Sequence, residues 1–372
     1  MKTRLDYDVV VVGSGFAGIY ALWKARKLKY SVKGFERGSD VGGTWYWNAY
    51  PGARCDVESY NYAYFFDDDI VRDWDWSDAC ASQPEIQRYL RFVAERCDVL
   101  KDISFETKVV SVKYSDETGL WSLLTSRDEK IVCKYPILAV GALSEPKKPD
   151  IAGVADFNGE TYFTSSWPKD NSANLKGKRV GVIGTGSSGV QAIPEIAKIA
   201  AQVHVFQRTA NYVTPTRSGP MEPKIVANLR EDPQAVRRAF RNSYGGHTPM
   251  AIGKDRFMEL DEPGRERALA KAWDGKYVPL AFRDAHLPEA NNAISDFIRK
   301  KMLEQVKDRW TARHLIPWDH PYGGKRPCMS NAYLDTYNLP HVHLVPLSET
   351  PIEKITDNGI RTSEEERERV AT

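Results

Sequence analysis

Two hexapeptides in this chain carry residue types and spacings suited to holding phosphate. They are Gly13-Ser14-Gly15-Phe16-Ala17-Gly18 and Gly184-Thr185-Gly186-Ser187-Ser188-Gly189. Glycines at these positions let the backbone approach a pyrophosphate, and the N-terminus of a following helix stabilises its charge. The contexts agree with that reading. Tyr7 to Val12 is a short apolar run, Ile19 to Leu28 has helical composition, and Ser31 to Phe35 reads as a second strand ending at Glu36. Around the second hexapeptide, Arg179 to Ile183 reads as a strand, Val190 to Ala200 as a helix and Val203 to Phe206 as the next strand. That strand runs into Gln207-Arg208-Thr209 instead of an acid. A carboxylate accepts ribose hydroxyls and repels a 2′-phosphate, whereas an arginine pairs with one. The first unit is therefore expected to take an adenine dinucleotide with a free ribose hydroxyl, and the second NADP. FAD together with NADPH satisfies both, and the change from Glu36 to Arg208 disfavours two copies of one NAD site.

Two further clusters could do chemistry. Gly42-Gly43-Thr44-Trp45-Tyr46-Trp47 is followed by Tyr50-Pro51-Gly52-Ala53-Arg54-Cys55-Asp56. Paired glycines suit close backbone approach to a second phosphate or a flat ring, and the aromatics could wall an isoalloxazine; the plainer alternative is a well-packed core loop. Tyr322-Gly323-Gly324-Lys325-Arg326-Pro327 puts a basic pair in a tight turn, which by itself reads as solvated surface. The connector Phe157 to Pro168, FNGETYFTSSWP, is too rich in aromatic and small residues for an ordinary linker.

The elements that must position these residues are those of an α/β protein with two dinucleotide-binding, Rossmann-like units. A strand-like YPILAVG run (Tyr135 to Gly141) precedes a Pro- and charge-rich linker, which puts a boundary near residue 146. The expected organisation is a first nucleotide unit over 1–146, the first part of a second over 147–215, a helical insertion over 216–320 and the remainder of the second over 321–372. Within the insertion, Ile294, Phe297, Ile298, Met302 and Val306 form one apolar stripe at helical spacing. His341 to Leu347 is expected to resume the second sheet.

Composition narrows the class. A formal charge of +2 points to neither nucleic acid nor a membrane surface. No apolar run approaches the length of a membrane span, and MKTRLDYDVVVVG leaves no room for a signal peptide. Cys55, Cys80, Cys97, Cys133 and Cys328 lack C-x-x-C spacing and read as free thiols in a reducing compartment. The seven histidines show no metal-ligand spacing. The expectation is a cytoplasmic protein without a metal.

On the segments GSGFAG, GGTWYWNAYPGARCD, GTGSSG, FQRT and GGKR, the chain resembles the class B flavin monooxygenases, and among them the type I Baeyer–Villiger monooxygenases. The resemblance runs from about Tyr7 to Ser363. It explains the connector as the family fingerprint Phe-x-Gly-x-x-x-His-x-x-x-Trp-Pro, the joint between the FAD and NADP units. Its Trp167-Pro168 ending is similar to the Baeyer–Villiger version. The resemblance implies NADPH reduction of FAD, capture of O₂ and insertion of oxygen beside a ketone carbonyl to give an ester or lactone. It implies Arg326 as the catalytic arginine and Asp56 as its carboxylate. FAD contacts carry over to Gly13, Gly15, Phe16, Ala17, Gly18, Glu36, Gly43, Thr44, Trp45, Tyr46, Trp47, Cys55, Asp56, Tyr62 and Val109. NADP contacts carry over to Arg54, Gly184, Thr185, Gly186, Ser187, Ser188, Gly189, Gln191, Arg208, Thr209 and Lys325.

The sequence departs from the family pattern twice. Phe163 stands in place of the fingerprint histidine, and the family continues past the RTSE segment where this chain runs EEERERVAT and stops. The flavin site is thus expected to be incomplete on one side, leaving room for a second chain to complete it. Two other readings stay open: oxygenation of nitrogen or sulfur by the same flavin and oxygen, and a remnant that binds nucleotide without oxygenating.

Overall fold

The computed structural model describes residues 4–169, 173–243, 256–276 and 282–363. In the first half, β1 (Tyr7–Val12), α1 (Phe16–Lys27) and β2 (Val32–Phe35) form a parallel βαβ unit, with Val12 registered on Phe35. The four consecutive valines of β1 lie between two neighbouring strands, and Val9, Val10 and Val11 are buried. A continuous apolar run is what a strand covered on both faces requires. Next come α2 (Thr44–Trp47), α3 (Asp68–Arg72), α4 (Gln83–Arg96), β3 (Ile103–Ser104), β4 (Val109–Ser115), β5 (Leu120–Thr125) and β6 (Lys130–Leu138). The sheet order is β3-β2-β1-β6-β5-β4.

Strand β6 starts at Lys130, five residues before the apolar YPILAVG run. Its first half pairs antiparallel with β5 and its second half parallel with β1. The charged start was unreadable as strand because its partner, not its own pattern, recruits it.

The second half repeats the scheme with β7 (Arg179–Ile183), α5 (Ser187–Ala197) and β8 (Gln202–Gln207). Both α1 and α5 begin about one turn earlier than their apolar composition indicates, because each is entered directly from a glycine, Gly15 and Gly186. Then follow β9 (Val213–Thr214), α6 (Pro223–Glu231), α7 (Pro233–Arg241), α8 (Glu262–Asp274), α9 (Pro288–Gln305), α10 (Arg309–Leu315), β10 (Cys328–Met329), α11 (Tyr333–Thr336), β11 (Val342–Pro346), β12 (Ile352–Ile355) and β13 (Ile360–Thr362). A three-stranded parallel sheet runs β11-β8-β7, so the segment after the helices does rejoin the second sheet. His341 lies just before β11 rather than in it.

Each half has its own core. One gathers Val9, Val11, Ile19, Leu22, Ile86, Tyr89 and Leu90 between the first sheet, α1 and α4. The other joins α5 and β8 to the helices of the insertion. Ile294, Ile298, Met302 and Val306 point into that second core and Phe297 packs at its rim. Burying each of these side chains contributes about 1.5–3 kcal/mol as an upper estimate. Tyr50 and Ala53, from the loop before Asp56, are also buried in the second core.

Candidate functional site

The first glycine loop is packed against the paired glycines. The Gly42 amide donates to the Ser14 carbonyl at 3.1 Å. A Cβ on Gly43 would lie 2.9 Å from the Gly15 Cα, so the two loops touch backbone to backbone. Gly43 also has φ +53, a conformation that disfavours side chains. Glu36 is buried at the end of β2. One carboxylate oxygen accepts from the Ser14 amide (2.8 Å) and hydroxyl (3.0 Å), and the other accepts from the Gly38 amide (2.8 Å). The acid therefore shapes the glycine loop, and its remaining lone pairs leave acceptor capacity for a hydroxyl. Val109 opens β4 close by, since the Thr107 amide donates to the Glu36 carbonyl at 2.8 Å.

Aromatic rings border this face. Phe16 and Trp45 both meet Tyr62, with ring centroids 5.8 and 5.3 Å apart. Burial pushes the Tyr62 phenol up to about 12. Tyr46 is buried, with its hydroxyl 2.9 Å from the Ser39 hydroxyl, and Trp47 stacks under the Arg37 guanidinium at 4.5 Å. Thr44 and Ala17 are exposed beside them.

The second loop shows a cradle of the same construction. A Cβ on Gly189 would collide with the Gly184 carbonyl, as one on Gly18 would with Gly13, which brings each helix tight against its strand. Gly184 and Gly186 have open space where a side chain would stand, and Gly186, the residue that caps the start of α5, offers no side chain to its first amides. Open backbone amides at a helix start fit an anionic diphosphate. The Thr185 hydroxyl donates to the Thr209 carbonyl at 3.3 Å, tying this loop to the end of β8. Arg208 is exposed there and makes no ion pair among the described residues. Lys325 is also exposed, 3.6 Å from Asp319.

Arg326 and Asp56 come together in an ion pair although 270 positions separate them. Asp56 is largely shielded and Arg326 is 74% exposed at the side chain. Cys55 and Arg54 on this loop, and Gln191 facing it from α5, make contacts that their sequence positions did not indicate. Cys55 is 2% exposed, its amide donates to the Ala81 carbonyl, and burial pushes its thiol up. It packs beneath the loop, in the first core. Gln191, on α5, reaches across to the first half. Its amide oxygen accepts from the Tyr50 hydroxyl at 2.8 Å, and its nitrogen donates to the Arg54 carbonyl at 3.1 Å. Arg54 in turn bonds Ser218 and lies 3.9 Å from Asp78. The loop before Asp56 is thus clasped by the second nucleotide unit. Ser187 and Ser188 are partly buried near this junction, with the Ser187 hydroxyl 3.8 Å from the Cys328 thiol.

The connector spans the junction. Tyr162 and Trp167 stack at 5.3 Å and pack on the second core. The short turn Thr164–Ser166, entered at Phe163, packs against α2, and Lys169 caps the Tyr46 ring at 3.7 Å. Its first part carries the β12–β13 hairpin, the Asn158 amide donating to the Asp357 carbonyl at 2.9 Å. Sequence reasoning missed Asn211 and Ser218, polar residues in loops whose role depends on which distant segment they face.

Comparison with known proteins fits this geometry. Residues 6–220 match a sequence model of the flavin-binding monooxygenase-like family. A phenazine N-monooxygenase of Lysobacter antibioticus is 41% identical over 97% of this chain and 67% of its own length. A Baeyer–Villiger monooxygenase of Pseudooceanicola batsensis is 39% identical over 96% of this chain and 66% of its own length. A crystal structure of OTEMO in complex with FAD and NADP superposes with a TM-score of 0.90 at 38% identity, covering 97% of this chain and 70% of that one. The chain belongs to the flavin-binding monooxygenase-like family, among its Baeyer–Villiger monooxygenases. It spans about two thirds of the length of these relatives. Among the described residues, no helix is long and apolar enough to cross a membrane.

Proposed function

We propose that this chain binds FAD in its first half and NADP in its second and inserts one oxygen atom of O₂ beside the carbonyl of a ketone. The observation that carries the reading is the Arg326–Asp56 pair, set where the two nucleotide units meet. Gly13, Gly15, Phe16, Ala17, Gly18, Glu36, Gly43 to Trp47, Tyr62 and Val109 would hold FAD. Gly184 to Gly189, Thr209, Arg54, Lys325 and Arg208 would hold NADP, Arg208 taking the 2′-phosphate. The flavin supplies two-electron chemistry and, once reduced by NADPH, the activation of O₂.

The chain's own residues supply charge and position. Arg326 cannot lose its proton at working pH, so it provides a permanent positive charge for the negative charge that develops on the substrate carbonyl oxygen. Asp56 aims that guanidinium, since a carboxylate–guanidinium pair is directional. Phe157 to Pro168 couples the two halves through Trp167 and the turn at Phe163. The five cysteines, all free, support a reducing, cytoplasmic setting.

The test is the visible spectrum of the purified protein with added FAD, followed by product analysis with NADPH, O₂ and a cyclic ketone. Lactone formation is expected. A colourless protein that takes up no FAD, or one that forms no lactone, would overturn the reading. The 41% identity to a phenazine N-monooxygenase favours one second reading, oxygenation of an aromatic nitrogen, which an N-oxide product would reveal.

A further inference from the structure

We infer that Asn211 is a positioning residue for Arg326, fixing the backbone from which the guanidinium reaches Asp56; this rests on the role proposed for Arg326. The segment that carries Arg326 is anchored at both ends. Upstream, the Tyr322 amide donates to the Ser295 hydroxyl at 3.0 Å, and its carbonyl accepts from the Asn291 side chain at 2.9 Å. Downstream, the Cys328 amide donates to the Tyr212 carbonyl at 2.8 Å as β10 joins β9. Between these anchors lie Gly323, at φ +82, and Gly324, and neither glycine restricts the chain as a side-chain-bearing residue would.

Among the described residues, one hydrogen bond ties the backbone of 325–327 to another element. The Asn211 side-chain nitrogen donates to the Arg326 carbonyl at 2.8 Å. Asn211 can serve as a fixed donor because its own oxygen accepts from the Tyr212 amide at 2.9 Å, which sets the orientation of the side-chain amide. The same nitrogen lies 3.4 Å from the Cys328 sulfur. Asn211 also sits three residues beyond Arg208, so the arginine expected at the cofactor phosphate and the one expected at the substrate are registered to one another through a single short loop. The Arg326 side chain is 74% exposed, so packing does little to hold it. Its place is set by Asp56 at the tip and by Asn211 at the root.

Asn211→Asp is the discriminating variant. An aspartate keeps the size and can still accept from the Tyr212 amide, but it sets an oxygen against the Arg326 carbonyl. Asn211→Ala removes both bonds. Three readouts apply to the FAD-loaded protein: kcat and KM for ketone oxygenation, hydrogen–deuterium exchange of the peptide covering 322–328, and a double variant with Arg326→Ala. The expected result is a fall in kcat for ketone oxygenation of about 5- to 10-fold, the size of one lost hydrogen bond. Exchange should quicken in 322–328 and not in β7 or β8, and the double variant should be no slower than Arg326→Ala alone. Unchanged kcat and exchange in Asn211→Asp, or additive losses in the double variant, would overturn the inference while leaving Arg326 in its role. Full activity in Arg326→Ala would instead remove the role itself and the inference with it, and the exchange data would show whether the backbone tie exists.

Discussion

Arg326 and Asp56 form an ion pair across the boundary between the two nucleotide-binding halves. Arg326 belongs to a segment anchored on β9 and α9 of the second half, and Asp56 follows a loop that Gln191 clasps from α5. The pair is therefore assembled only when both halves are in place.

Replacing Arg326 with alanine should lower the rate of ester or lactone formation by about 10²- to 10³-fold, the usual cost of removing one fixed electrostatic contact. Lysine should rescue poorly, since a point charge does not reproduce the planar fork facing Asp56. Flavin content, read from the visible spectrum, should stay near the wild-type value. A normal product yield from the alanine variant would remove Arg326 from the mechanism.

Arg208→Ala should narrow the preference for NADPH over NADH. A charge-assisted contact to the 2′-phosphate contributes about 1.5–3 kcal/mol, which corresponds to roughly a 10- to 150-fold change in relative affinity. Fluorescence titration with both nucleotides measures it. Equal affinity in the wild-type protein would rule out the assignment.

Phe163 enters the turn that packs on α2, where the family fingerprint has histidine. Phe163→His should increase the product formed per NADPH consumed and reduce hydrogen peroxide release, with nucleotide affinity unaltered. If the ratio does not rise, Phe163 has a structural role only.

Asp284 is buried and tests the insertion's stability. Burial disfavours its charged form, but the Phe257 amide at 2.7 Å and the Met258 amide at 3.1 Å outweigh it and hold the carboxyl below the usual range. A carboxyl depressed on folding stabilises above its unfolded pKa of about 3.9, and that contribution disappears as pH falls through the folded value. Asp284→Asn should cost about 1.5–3 kcal/mol in urea unfolding at pH 7. The gap from wild type should be the same at pH 5 and shrink below about pH 3.9. A gap that grows on acidification would contradict this.

Much of the scaffold was legible because it is local. The two glycine hexapeptides each sit between a strand and a helix, and the acid-to-arginine contrast at Glu36 and Arg208 lies at the ends of equivalent strands. The α9 stripe repeats at helical spacing. What could not be read was pairing over distance. Lys130 to Lys134 becomes strand because β5 lies beside it. Gln191 read as a nucleotide contact, and its bonds to Tyr50 and Arg54 join segments far apart in sequence. Cys55 lies within a motif that faces the site, but it points inward. Asn211 has no pattern of its own, and its use depends on a loop 115 positions away.

Gly52 adjoins α5 so closely that even a methyl group at its Cα would collide with the Gln191 carbonyl. That contact is a mechanical stop. Backbone meets backbone here, so the closest approach of Gly52 to α5 is set by atoms that no side-chain rotation can move.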